Sequence, residues 1–189
     1  MLRDRLKFAA GATLLLALLL AAVPRTSAQS ATAVPKLDPG RLIGTYYEIA
    51  RYPIRREKQC FAKGMVLYAL GDKANSLQIV TACQIKQDVT NYWNSKGRFS
   101  SSVDGKIRLS AFWPFTTKYW VLAIAPDYSW ALVGNPNHKS LWILSHTPTL
   151  PPGVLTAIQS QASAQGFNTA RLVKITQQPA VNLAAKAPQ

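Results

Sequence analysis

The side chains in this 189-residue sequence whose types and places invite a chemical reading are Glu48, Cys60, Cys83, His138, Ser145 and His146. Their spacing argues against most of it. Ser145 and His146 are sequence neighbours, so on a strand they point to opposite sides, and the histidine cannot serve as base to the hydroxyl. No Gly-x-Ser-x-Gly elbow and no metal-spaced His/Glu cluster accompanies them. An acyl-ester enzyme is therefore the weakest reading. His138 and His146 are each isolated histidines of the kind that can ligate haem iron, which keeps a haem or pigment carrier as an alternative; otherwise no cofactor and no metal is expected. An ionised Glu48 in a core would require a partner, because unpaired burial of a carboxylate costs several kcal/mol. It is expected either to be paired inside the fold or to lie near water.

The ends of the chain frame these residues. Arg3, Arg5 and Lys7 precede an uncharged, mostly apolar run from Phe8 to Val23, and Thr26-Ser27-Ala28 offers small residues where a signal peptidase reads. Residues 1–28 are expected to be a cleaved Sec-type signal peptide, residues 29–36 a flexible leader, and residues 179–189 a disordered tail. The apolar run is short for a membrane-spanning helix. With no cysteine at the junction to carry lipid, the mature chain is expected to be exported, soluble, and periplasmic or secreted. Contact with the outer membrane would then occur without a lipid anchor.

Removing the signal peptide takes away four basic residues and one acid, which leaves 18 basic against 7 acidic, a net charge of +11. Such a surface favours anionic partners such as lipid headgroups. Nucleic acid is not expected, because the basic residues are spread and export removes access to it. The composition leaves monomer and homodimer open. Two cysteines in an exported chain usually pair. A turn at Gly71-Asp72-Lys73-Ala74-Asn75 folds the preceding segment back along the following one, which brings Cys60 and Cys83 together as a structural staple.

The elements that must position these groups are short and regularly spaced. Eight runs rich in Val, Ile, Leu, Tyr and Trp, at about 44–51, 64–70, 76–83, 91–100, 106–112, 118–125, 128–134 and 140–145, alternate with turn clusters such as Gly134-Asn135-Pro136-Asn137. This is a meander, hence an antiparallel barrel or sandwich. Pro151-Pro152 then open a segment carrying Val154, Leu155, Ile158 and Ala162 on one face, with Gly166 past its end, which predicts a helix of about three turns. A short ninth strand is expected at about 170–175.

Gly44-Thr45-Tyr46-Tyr47-Glu48-Ile49-Ala50-Arg51 at the start, Asp127-Tyr128-Ser129-Trp130-Ala131-Leu132-Val133 in the middle and Leu141-Trp142-Ile143-Leu144-Ser145-His146-Thr147-Pro148 near the end resemble the three signature segments of the lipocalins. The likeness is strongest to the bacterial outer-membrane members of that family. It covers residues 37–178 and implies an all-β, eight-stranded, antiparallel up-and-down β-barrel with one C-terminal α-helix and a ninth strand. Tyr46 stands where most of the family has a tryptophan and His146 where it has an arginine. The resemblance implies that this pair closes one end of the barrel, by stacking or by a phenol–imidazole hydrogen bond.

Registering the strands on the family segments nominates a ligand-binding wall of Val66, Tyr68, Leu77, Ile79, Trp93, Ile107, Leu109, Val121, Ala123, Trp130, Leu132, Trp142 and Leu144. The long connection after the first strand would overhang the opening and place Arg55, Arg56, Lys58 and Lys63 at its rim. What the resemblance implies is binding and storage or transport of a small apolar or amphiphilic ligand, a fatty acid or lysophospholipid, in the service of membrane maintenance.

Overall fold

The computed structural model describes residues 30–60, 62–86, 89–100, 104–112 and 115–177. The expected signal peptide and C-terminal tail lie outside the described residues. A four-residue helix, α1 (Pro39–Leu42), precedes eight strands: β1 (Gly44–Arg51), β2 (Ala62–Leu70), β3 (Ser76–Lys86), β4 (Val89–Phe99), β5 (Lys106–Phe112), β6 (Phe115–Ile124), β7 (Trp130–Gly134) and β8 (Leu141–Ser145). Each is antiparallel to its sequence neighbour, and β1 pairs with both β2 and β8, so the sheet closes into the expected barrel. Closure removes the free edges that a β-sheet otherwise exposes.

Helix α2 (Pro152–Ala164) lies against the outside of the barrel. Its start follows from Pro152 in the first turn. Its end is a reversal at Gly166, whose φ of 82° favours a residue without a Cβ; the N–H of Phe167 donates to Ala162 O at 3.1 Å and that of Gly166 to Ser163 O at 2.9 Å. The stripe anticipated from the sequence is the buried side: Ile158 and Ala162 are fully enclosed, and Val154 and Leu155 are half-buried. The ninth strand, β9, is shorter than expected. Residues Thr169–Arg171 form a 3-10 turn and only Val173–Lys174 pair with β1, at Arg51 and Ala50.

The core has two halves. Inside the barrel Tyr46, Tyr68, Leu77, Ile107, Val121 and Val133 pack together, while Ile49, Tyr52, Leu122, Leu132 and Ile143 face outward beneath α2 and Phe167. Two bulges decide which residue faces which way. In β1 the register slips between Glu48 and Ala50, so Tyr46, Glu48 and Arg51 face inward, with Ile49 and Ala50 outside. In β6 the slip falls between Val121 and Ala123, which leaves Leu122 as the extra residue. A single extra residue reverses the alternation beyond it.

Residues 30–36 are not the loose leader that their small side chains predict. Ala31 and Ala33 are buried, the N–H of Val34 donates to Val121 O at 2.9 Å, and Val34 O accepts from Gly105 N–H at 2.9 Å. Pairing of β6 with β5 ends at Trp120, so Val121 would otherwise present an unmet carbonyl, and the leader supplies the partner. Gly105 is required at this crossing. A Cβ there would lie 2.7 Å from both Val121 O and Val34 Cγ2.

Candidate functional site

The stagger of the barrel creates its opening. Pairing of β6 with β7 begins only at Trp120↔Gly134, so Phe115–Tyr119 run past the end of β7 with no partner from it. A side-chain bond from Asn135 Nδ2 to Thr117 Oγ1 at 3.1 Å spans the gap. Behind it lies a cavity of about 340 Å³ with walls from Val66, Ile79, Trp93, Leu109, Trp142 and Leu144 and an outlet at Phe115–Lys118. This volume is within the range of sites that bury small organic ligands.

Six of the residues nominated from the sequence thus line the cavity. Tyr68, Leu77, Ile107 and Val121 also face inward but belong to the solid closed half. Ala123, Trp130 and Leu132 do not face inward, which corrects their assignment: they pack outside with α2, while Ala131 and Val133 take the inner positions. Strand β7 is apolar on both faces, so its pattern carries no parity, and the bulge in β6 offsets its neighbour. The sequence reading missed Tyr119, which sits at the base of the cavity next to Trp142, ring centroids 5.7 Å apart.

An aromatic column runs from the closed end to the cavity. The rings of Tyr46 and His146 are stacked, with centroids 3.8 Å apart and planes 29° apart. This selects stacking over a phenol–imidazole hydrogen bond. His146 Nδ1–H donates to Thr45 O at 2.9 Å, and the Tyr46 hydroxyl donates to Tyr128 O at 3.4 Å. Tyr46 meets Tyr68 edge-on at 5.6 Å, and the hydroxyls of Tyr68 and Tyr119 are hydrogen-bonded to each other. Burial holds these phenols in their neutral form, pushing Tyr46 up to about 12 and raising Tyr68 and Tyr119 as well.

Two acids of the cavity wall, Glu48 and Glu57, form a buried triad with Arg51. Arg51 Nε lies 3.2 Å from Glu48 Oε2 and 2.9 Å from Glu57 Oε2, and all three side chains are almost wholly enclosed. The β1 bulge makes this possible by turning Glu48 and Arg51 to the same side although they are three residues apart. Gly64, across from Glu48 on β2, leaves the space, since a Cβ there would lie 2.5 Å from Glu48 Oε2. The Arg51 guanidinium also donates to Glu57 O at 3.3 Å and Cys60 O at 3.2 Å, tying the loop after β1 over the opening. Two carboxyls share one guanidinium, so burial and the neighbouring Glu57 raise the pKa of Glu48 well above the usual carboxyl range, against the opposing pull of Arg51.

The Cys60–Cys83 disulfide fixes the same loop to β3, with Cα atoms 5.5 Å apart. Of the basic residues expected at the rim, Arg55 and Lys58 are exposed on this loop and Lys63 is half-buried; Arg56 is in its 3-10 turn. Arg55, Lys58 and Lys63 do not line the cavity, whereas Ile54 and Glu57 of the same loop do. Ser145 is buried and its Oγ is 3.0 Å from Thr147 Oγ1, while His146 is exposed on the other side. His138 lies outside the barrel, its Nε2–H donating to Gln165 O at 2.8 Å and its ring against Phe167 at 4.5 Å. Among the described residues no group of three His, Cys, Asp or Glu could hold a metal ion, and no helix is long and apolar enough to cross a membrane.

A family model for the lipocalin-like domain matches residues 37–177. The chain is 30% identical over 153 residues to the outer membrane lipoprotein Blc of Escherichia coli (strain K12), covering 80% of this chain and 86% of that protein. It is 28% identical over 167 residues to the Blc protein of Vibrio cholerae, covering 79% and 88%. Among solved structures, insecticyanin from the tobacco hornworm Manduca sexta aligns with a TM-score of 0.59 at 17% identity, covering 77% of this chain and 83% of that one. Lobster apocrustacyanin A1 aligns with the same score at 11% identity, covering 82% and 94%.

Proposed function

The chain belongs to the lipocalin family, and on that footing we propose that it carries a single-chain amphiphile, a fatty acid or lysophospholipid, in the barrel cavity. The observation that supports this reading is the cavity itself. Its walls are mostly apolar, it is closed at one end by packed aromatic rings, and its outlet is flanked by Thr116, Thr117 and Lys118. Each methylene moved from water into such a wall contributes about 0.8 kcal/mol, so affinity grows with chain length.

The similarity to outer-membrane lipoproteins of bacteria supports a place in the cell envelope and a role in moving or storing lipid for membrane upkeep. Catalysis finds little support at the sequence's own candidates, because Ser145 and His146 diverge. Haem ligation by His138 finds none either, since that ring is engaged at the end of α2 and not in the cavity.

Fluorescent fatty-acid uptake tests the proposal. Leu109→Lys and Trp142→Glu each bring a charge that would lose its water in the cavity, so either should abolish uptake while circular dichroism shows an intact barrel. Uptake retained by both folded variants would move the site off the interior.

A further inference from the structure

The outer face of the barrel beside the outlet carries a row of like charges. Arg98 on β4 is paired in register with Arg108 on β5, and Arg108 in turn with Lys118 on β6, so three cations stand directly opposite one another on three adjacent strands. All three are exposed, as is Lys96, and among the described residues none of the four forms a salt bridge. Directly opposed like charges destabilise a sheet. A fold that keeps three in line gains when an anion lies across them.

The row is continuous with the cavity. Lys73, Lys96, Arg98 and Arg108 line a surface groove, with Asp72 as the acid among its lining residues. Thr116 belongs both to this groove and to the lining of the cavity, and Lys118 lines the outlet itself. The interior offers no such counter-charge: Glu48 and Glu57 line the cavity and already engage Arg51. A headgroup with negative charge is disfavoured at depth and favoured outside, while the apolar walls receive the tail.

We propose that the Arg98–Arg108–Lys118 ladder is the headgroup site of the cavity ligand, holding a phosphate or carboxylate outside the barrel wall while the acyl chain enters through the gap beside β6. This assignment rests on the amphiphile reading and deepens it by naming the headgroup class and the residues that select it. It also relocates selectivity from the loop after β1 to the side of the barrel. Arginine suits the role, since its fork matches phosphate and carboxylate oxygens two at a time.

The test compares dodecyl phosphate, dodecanoate and dodecanol at pH 8, by titration calorimetry on the full mature chain, for the unmodified protein, Arg108→Gln/Lys118→Gln, and Arg55→Gln/Arg56→Gln/Lys58→Gln/Lys63→Gln. The expected result is that the ladder variant binds both anionic amphiphiles about tenfold more weakly, with dodecanol unchanged, and that its salt dependence disappears. The loop variant should behave like the unmodified protein. The ladder variant should also be more stable than the unmodified protein in the absence of ligand, because cross-strand repulsion is relieved.

Unchanged affinity of the ladder variant for the anions, or equal losses for anion and alcohol, would overturn the headgroup site while leaving amphiphile carriage standing. Loss of the preference in the loop variant instead would return selectivity to that loop and overturn the ladder. If none of the three compounds binds the unmodified protein, the amphiphile reading fails and the ladder assignment fails with it.

Discussion

Glu48 holds its proton more tightly in the folded chain than in the unfolded one, and this sets a pH dependence. Between the ordinary carboxyl range and the raised native value, the folded state binds more protons than the unfolded state, so this group makes stability fall as pH rises through that window. Glu48→Gln should flatten the decline, as measured by urea midpoints from pH 4 upward; an unchanged slope would assign the dependence to other groups. Arg51 is the more sensitive member. Arg51→Gln leaves two buried carboxyls without their guanidinium and should cost about 3–5 kcal/mol in denaturant unfolding. The stacked Tyr46 and His146 are coupled by contact, so Tyr46→Trp with His146→Arg should depart from the sum of the single changes in a double-mutant cycle. Of these residues the sequence made Tyr46, His146 and Glu48 legible, through their places in a recognisable opening and closing strand. Arg51 was hidden because simple alternation from Glu48 puts it on the opposite face, and only the bulge at Ile49 reverses that.

Alternation reads well in strands with one polar face and fails in strands without one. In β5, Ile107 and Leu109 separate from Arg108 and Ser110 at a glance, and the structure keeps that division. In β7 every position from Ala131 to Val133 is apolar and buried, so nothing local distinguishes Leu132, which meets α2, from Val133, which meets the barrel interior. The distinction has an energetic signature. Leu132→Ala should lower stability by about 2–5 kcal/mol with no change in amphiphile affinity, read by paired denaturation and binding titrations. The leader was misread for a related reason: Ala31, Ala33 and Val34 look unstructured in isolation, and their order comes from the carbonyl of Val121 and the bare Cα of Gly105. Gly105→Val should therefore loosen residues 30–36 and destabilise the fold by about 1–3 kcal/mol, visible as faster amide exchange at Val34.

At the scale of the whole molecule, the number and order of strands, the helix and the disulfide were all visible in the sequence, because turn clusters and proline positions are local signals. The stagger that opens the wall beside β6 was not, since it depends on where pairing with β7 stops. The Cys60–Cys83 bridge acts on the same scale by limiting the unfolded chain. Across a sequence separation of 23 residues it should contribute about 3 kcal/mol, measurable as the difference between the native protein and Cys60→Ser/Cys83→Ser.

The distribution of indoles gives the barrel a built-in optical reporter. Trp93 and Trp142 line the cavity, Trp120 and Trp130 lie on the helix-covered exterior, and Trp113 is outside the described residues. An acyl chain brominated near its end would touch the first pair and not the second, so its uptake should darken only part of the emission and leave a steady remainder. In a Trp113→Phe background, Trp93→Phe/Trp142→Phe should emit from Trp120 and Trp130 alone and give no response to the brominated chain. In that way light separates an occupied interior from a lipid merely resting on the charged flank.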